Sequence, residues 1–156
     1  MPDMADHRAR RWRYRVARER AAIGRFADVL EADLTSAGIT SAARVNLATV
    51  LDELLANVVM HAREVRGPVH VRLRAHAGEL VARLRYFGKA FDPTAHPAPS
   101  PAASIIEARM GGVGIAMVRA MTREFGWRHV RGENHLRVRL AGSDERSLEP
   151  EAAARG

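Results

Sequence analysis

A chain of 156 residues with no cysteine and a net charge of +7 has the size of one domain around one core. Disulfides and thiolate metal sites are excluded, no apolar run approaches the roughly 20 residues of a membrane helix, and no apolar signal core opens the chain, so a cytoplasmic protein without a membrane segment is expected. Lys89 is the single lysine among 25 basic residues, a balance that admits nucleic acid, acidic proteins or anionic small molecules as partners without choosing among them.

Residues 1–10 and 141–156 read as flexible ends, the latter acidic through Asp144, Glu145, Glu149 and Glu151. Between them, residues 11–140 read as one domain. Arg11 to Val16 alternates, with Trp12, Tyr14 and Val16 on one side and arginines on the other, the period of a half-buried strand. From about Ala17 to Ala37 the apolar spacing turns helical and stops at Gly38. Thr40 or Ser41 can cap a second helix to about Arg63, apolar on most sides and therefore central. Gly67-Pro68 breaks the chain. Two alternating runs follow, Val69–His76 and Leu80–Tyr86, joined at Ala77-Gly78 as a hairpin. Gly88 to Gly114, with four prolines, has the length of a lid or binding loop. A helix from about Gly112 to Phe125 precedes a last hairpin, Trp127–Val130 and His135–Leu140, turning at Gly132-Glu133-Asn134. This order predicts an α+β fold, a two-layer α/β sandwich whose mostly antiparallel sheet carries its helices on one face.

Three features carry chemistry. Glu53, Asn57 and His61 recur every fourth residue of the second helix and so form one row. A carboxylate, an amide and an imidazole there suit a general base beside an oxygen donor for a metal; a polar seam facing solvent is the plain alternative. Gly111-Gly112-Val113-Gly114 stands before a helix, where free amides attract phosphate, or it is a hinge. Gly88-Lys89-Ala90-Phe91-Asp92-Pro93 leaves a strand and enters the lid, or is an ordinary turn.

In this order the three resemble the GHKL superfamily of ATPases, and within it the RsbW-type anti-sigma factors, which are serine-protein kinases. Leu51–Ala62 resembles the N box, Phe91-Asp92-Pro93 the segment after the first glycine box, Gly111–Arg119 the second glycine box, and Asn134 with Leu136 the closing hairpin. The resemblance spans about residues 11–140 and implies a Bergerat-type fold using ATP and Mg²⁺. It implies Glu53 as catalytic base toward a serine or threonine hydroxyl, Asn57 as Mg²⁺ ligand, and a nucleotide site drawn from Asn57, His61, Tyr86, Gly88, Asp92, Gly111, Gly112, Val113 and Gly114. Arg109, beside the glycines, is added as a residue able to reach a phosphate. The implied partners are a sigma factor, a STAS-type anti-anti-sigma protein and a second copy of the chain. No helix pair for a phosphoacceptor histidine precedes the first strand, so a complete histidine kinase is not expected.

Two positions depart from the family. Tyr86 stands where the family has the aspartate that bonds adenine, and its ring either fills part of that pocket or is a core residue at a strand end. Arg123 stands where an aspartate is common. Three readings follow: an active kinase and anti-sigma switch, a member that binds protein partners without ATP, and a nucleic-acid binder. Nucleic acid is the least expected, because nine arginines (Arg11, Arg13, Arg15, Arg72, Arg74, Arg83, Arg85, Arg137 and Arg139) fall on the polar parity of their strands. They predict a basic sheet face away from the helices, covered by an acidic surface such as the tail, a second subunit or a partner.

Overall fold

The computed structural model describes residues 8–95 and 113–142. β1 (Arg10–Val16) leads to α1 (Arg20–Ser36) and α2 (Ser41–His61); β2 (Arg66–His76) and β3 (Glu79–Phe87) follow. A short 3₁₀ turn (Pro93–Ala95), α3 (Val113–Met121), β4 (Glu124–Val130) and β5 (Glu133–Ala141) complete the order. The strands form one antiparallel sheet in the order β1-β2-β3-β5-β4. The α+β two-layer class read from the sequence is the class observed.

Helices α1 and α2 bury their apolar stripes on one face of the sheet. Phe26, Leu30 and Leu34 from α1, and Leu47, Leu51, Leu54 and Val58 from α2, meet Val71, Leu73, Leu84, Leu136 and Val138 in a single core. Thr40 caps α2, its hydroxyl accepting from the Ala43 amide at 3.3 Å, a bond that satisfies one of the free donors of a helix start. α1 begins three residues later than its spacing predicts. Glu19 is extended (φ −139°) and its carbonyl takes the first helical bonds, while Arg18 reaches across to the Gly67 carbonyl. Tyr14 fastens β1 to α1, donating to Asp33 at 2.7 Å and meeting Phe26 edge-on.

Further boundaries differ from the sequence reading. α3 ends at Met121 rather than Phe125, because the Arg123 amide is captured by the Arg139 carbonyl of β5 at 2.7 Å and Phe125 pairs with Val138. The last hairpin turns at Arg131-Gly132, both with positive φ (52° and 79°), so Glu133 and Asn134 belong to β5. That turn matches Ala77-Gly78 (49° and 73°), and in both the paired positive φ fits the two-residue loop that the strand twist favours. In addition, β2 runs through Gly67-Pro68 with an irregularity between Arg66 and His70.

Tyr86 lies on the core side of β3, 1% exposed, and its hydroxyl has no hydrogen-bond partner among the described residues. Burial pushes its pKa from 10.0 to about 12. A buried hydroxyl without a partner costs about 1–3 kcal/mol, so Tyr86→Phe is expected to raise stability by a quantity of that order in urea melts. The unfolded phenol ionises near its ordinary value while the folded one holds its proton. Tyr86 therefore contributes stability fully below pH 10 and loses it as pH rises toward 12. Tyr14, also raised by burial and by Asp33, adds to the same alkaline loss, and the Phe variant is expected to show a shallower decline than the parent over that range.

The face of the sheet away from the helices carries the arginines. The strand register sets Arg13, Arg72, Arg83 and Arg137 directly beside one another across four strands. A second row reads Arg15, His70, Arg85, His135 and Arg128. The β3–β5–β4 side is partly neutralised: Arg139 lies 2.9 Å from Glu79 and 3.2 Å from Glu124, Arg137 also pairs with Glu124, and Arg85 lies 3.2 Å from Glu133. The tail proposed to cover this face lies, from residue 143 onward, outside the described residues.

Candidate nucleotide site

The row predicted on α2 forms at the edge of the core. Asn57 is 7% exposed, with Glu53 and His61 half-buried on either side of it. The Asn57 Oδ1 and His61 Nε2 atoms are buried and have no partner among the described residues. A buried amide oxygen left unbonded is costly in a finished core, so both atoms point to a ligand that supplies their missing contacts. Asn57 Oδ1 is a hard oxygen donor, which suits Mg²⁺, an ion that takes few protein ligands and keeps several waters.

Glu53 reaches the first turn of α3. A Cβ built on Gly114 would lie 2.1 Å from Glu53 Oε2 and 3.0 Å from its Cδ. The glycine is thus required by the carboxylate beside it, which also lies at the end of the helix where a negative charge is favoured. Gly114→Ala is expected to separate stability from activity. Alanine gains up to about 1 kcal/mol of helix propensity, which offsets the crowding in a melt, while the displaced Glu53 loses its position for chemistry. A phosphotransfer assay beside a thermal melt checks this.

The loop leaving β3 is held by Asn134, which sequence reasoning treated only as part of the last hairpin. Asn134 is fully buried on β5. Its Oδ1 accepts from the Phe91 amide and from Trp127 Nε1, both at 3.0 Å. Its Nδ2 donates to the Lys89 carbonyl at 2.9 Å and to the Gly88 carbonyl at 3.4 Å. His129 adds a 3.0 Å contact to the same Gly88 carbonyl. The signal was present in the sequence: Asn134 shares the parity of Leu136, Val138 and Leu140, an amide at a core position.

Gly88 is needed for close approach, since a Cβ there would meet the Arg63 carbonyl at 3.2 Å and Val65 at 3.3 Å, and the Lys89 amide bonds that same carbonyl. The loop therefore rests against the end of α2. Phe91 lies over His61 with ring centroids 6.5 Å apart, and His61, Arg63, Lys89, Ala90 and Phe91 line a cavity of about 410 Å³. Asp92 caps the 3₁₀ turn, its Oδ1 accepting from the Thr94 amide at 2.8 Å and from the Thr94 hydroxyl. Arg119 of α3 donates to the Thr94 carbonyl, joining α3 to the 3₁₀ turn.

Glu53 meets Gly114 where α2 and α3 approach, Asn57 and His61 follow it along α2, and Gly88 and Asp92 lie on the loop after β3, whose Phe91 covers His61. Val113 opens α3. Arg109, Gly111 and Gly112 lie outside the described residues. Tyr86 is enclosed with the core residues of β3, as its parity with Leu84 and Ala82 allows.

The chain belongs to the histidine kinase-like ATPase domain family, whose model matches residues 16–140, and the carboxylate, amide and imidazole row of α2 lies within that match. Among curated proteins it is similar to the serine/threonine-protein kinase BtrW of Bordetella bronchiseptica, 33% identical over 95 residues that make up 60% of this chain and 67% of the relative. Among solved structures it is similar to the histidine kinase domain of the blue-light activated histidine kinase EL346 from Erythrobacter litoralis. That match has a TM-score of 0.49 at 15% identity and covers 82% of this chain and 63% of the other.

Proposed function

We propose that this chain is a Mg²⁺- and ATP-dependent serine/threonine-protein kinase that works as an anti-sigma factor in a partner switch, with a STAS-type anti-anti-sigma protein as its substrate. The observation that carries the reading is the buried, unpartnered Asn57 Oδ1 in the same row as Glu53. The similarity to a protein named as a serine/threonine kinase supports the residue acted on.

Asn57 would hold Mg²⁺ through Oδ1. The ion neutralises charge on the phosphates during transfer. Glu53 orients the attacking serine hydroxyl and takes its proton on a carboxylate oxygen as the new oxygen–phosphorus bond forms and ADP leaves. The amides at the start of α3 receive phosphate oxygens at the favourable end of the helix. His61, beside Asn57, would place its Nε2 toward the same phosphates. Asn134 fixes the loop that borders them. The half-buried first strand and α1 are proposed to pair with a second copy of the chain.

The test is phosphate transfer from labelled ATP to STAS-type proteins carrying a serine. The wild-type chain is expected to label one of them, and Glu53→Gln, which keeps shape and loses the base, is expected to slow labelling by about 10²–10⁴-fold. Equal rates for the two proteins would remove Glu53 from the role of base.

A second reading has its own observation. Tyr86, which the resemblance sets at the family's adenine-bonding position, is buried, and this favours a member that binds protein partners without ATP. The two readings divide on whether Mg²⁺–ATP binds at all.

A further inference from the structure

The open face of the sheet contains a cavity of about 580 Å³, on the opposite side of the strands from the α2 row. Its walls come from the two cross-strand rows already described, together with Leu84, Trp127 and Leu136 from the intervening positions of the same strands. Arg72, Arg83 and Arg137 belong to one; His70, Arg85, His135 and Arg128 belong to the other. Gly126, opposite Arg137, ends the first row without a side chain and has open space where a Cβ would stand. Every side chain that these two rows place around the cavity is therefore a guanidinium or an imidazole.

Like charges facing each other across a sheet are unfavourable, with neighbours about 5 Å apart across strands and about 7 Å apart along them. Glu133 and Glu124 offset Arg85 and Arg137 at one side. Among the described residues, no carboxylate lies within 4.0 Å of Arg72, Arg83 or Arg128. Positive charge is thus concentrated where the cavity is, and it stays unbalanced in its centre.

We propose that this cavity is an anion site for a compact multiply charged phosphate compound, separate from the nucleotide site. The volume falls within the range of small-molecule pockets, about 300–1,000 Å³. Guanidinium groups bind phosphate oxygens in bidentate pairs, and a phosphate brings close to two charges and three acceptors to one point. An extended acidic peptide delivers one charge every 7 Å or so on each face, a poorer match to so dense a grid. A protein interface of ordinary kind has an apolar, charge-depleted centre, whereas here Leu84, Trp127 and Leu136 line the cavity together with five arginines and two histidines.

The probe is inorganic tripolyphosphate, titrated calorimetrically into the full chain without Mg²⁺ at about 50 mM salt, where charge attraction is weakly screened. The Asn57→Ala chain is expected to bind it with the parent's affinity, because the nucleotide site is not used. Arg72→Ala/Arg83→Ala, which removes two exposed side chains that make no ion pair, is expected to lose about tenfold or more in affinity, and a thermal melt shows whether it remains folded. Arg83→Lys, which keeps the charge and loses the fork, is expected to fall between the two. Absence of binding by the parent would overturn the site. So would binding abolished by Asn57→Ala and indifferent to the arginines. Two further outcomes would give the face to a different occupant: binding that appears only after residues 143–156 are removed, which assigns it to the chain's own tail, and preference for a DNA oligomer over tripolyphosphate, which assigns it to nucleic acid.

Discussion

Asn134→Ala is expected to cost the fold on the order of 3 kcal/mol, read as a lower urea midpoint. The side chain is fully buried and completes its hydrogen bonding with Phe91, Trp127, Lys89 and Gly88. Removing it leaves a backbone amide, an indole N–H and a carbonyl without their partner, and each such group costs about 1 kcal/mol or more in a buried setting. The effect is also local in kind. Asn134 ties β4, β5 and the loop after β3 together, so the variant is expected to lose hydrogen-exchange protection first at Lys89 to Phe91. Asn134→Asp keeps the two acceptor contacts and turns a charge against two carbonyls. Its stability is expected to fall as pH rises through the carboxylate's titration, because the folded environment favours the neutral acid. A variant as stable as the parent would mean that the four contacts do not hold the loop.

The second large effect concerns Asn57. Asn57→Ala is expected to abolish measurable phosphate transfer while changing the melting temperature little. The wild-type amide oxygen has no partner among the described residues, so truncation removes no hydrogen bond of that oxygen there and relieves an unsatisfied acceptor. The loss of buried volume acts in the opposite sense. An amide that served only the fold would behave the other way, with a large loss of stability and rates that follow the folded fraction. Transfer assays and melts on the same preparation separate these outcomes.

The parity of the strands and the row on α2 were legible before any coordinates, because both follow from periods of two and four within single elements. The hairpin at Ala77-Gly78 and the cap at Thr40 were legible for the same reason: each is a local signal. The errors came where distant strands decide. Phe125 continues the apolar spacing of α3, and only the Arg139 carbonyl of β5, which captures the backbone at Arg123, makes it a strand residue. Gly126 interrupts the alternation of β4 and hid its beginning. The role of Asn134 needed the loop after β3 to be folded back over β5, which no local pattern states. The basic face was legible as parity, but the alignment of Arg13, Arg72, Arg83 and Arg137 depends on β1 pairing with β2 across two intervening helices and on β3 pairing with β5 out of chain order. In the site, Glu53 and Asn57 share a row of α2, as their spacing of four requires, while the approach of Gly114 to Glu53 is set by the packing of α3 on α2. Tyr86 presents its ring to the same core, a consequence of its parity with Leu84.

The central claim is that the α2 row serves Mg²⁺ and ATP. It is tested most directly by calorimetric titration of the chain with ATP in the presence and absence of Mg²⁺, repeated on Asn57→Ala. The account predicts saturable heat that needs Mg²⁺ and disappears in the variant. No heat with Mg²⁺ and ATP at millimolar nucleotide, from a chain that melts cooperatively, would contradict it and leave the protein-binding reading in its place.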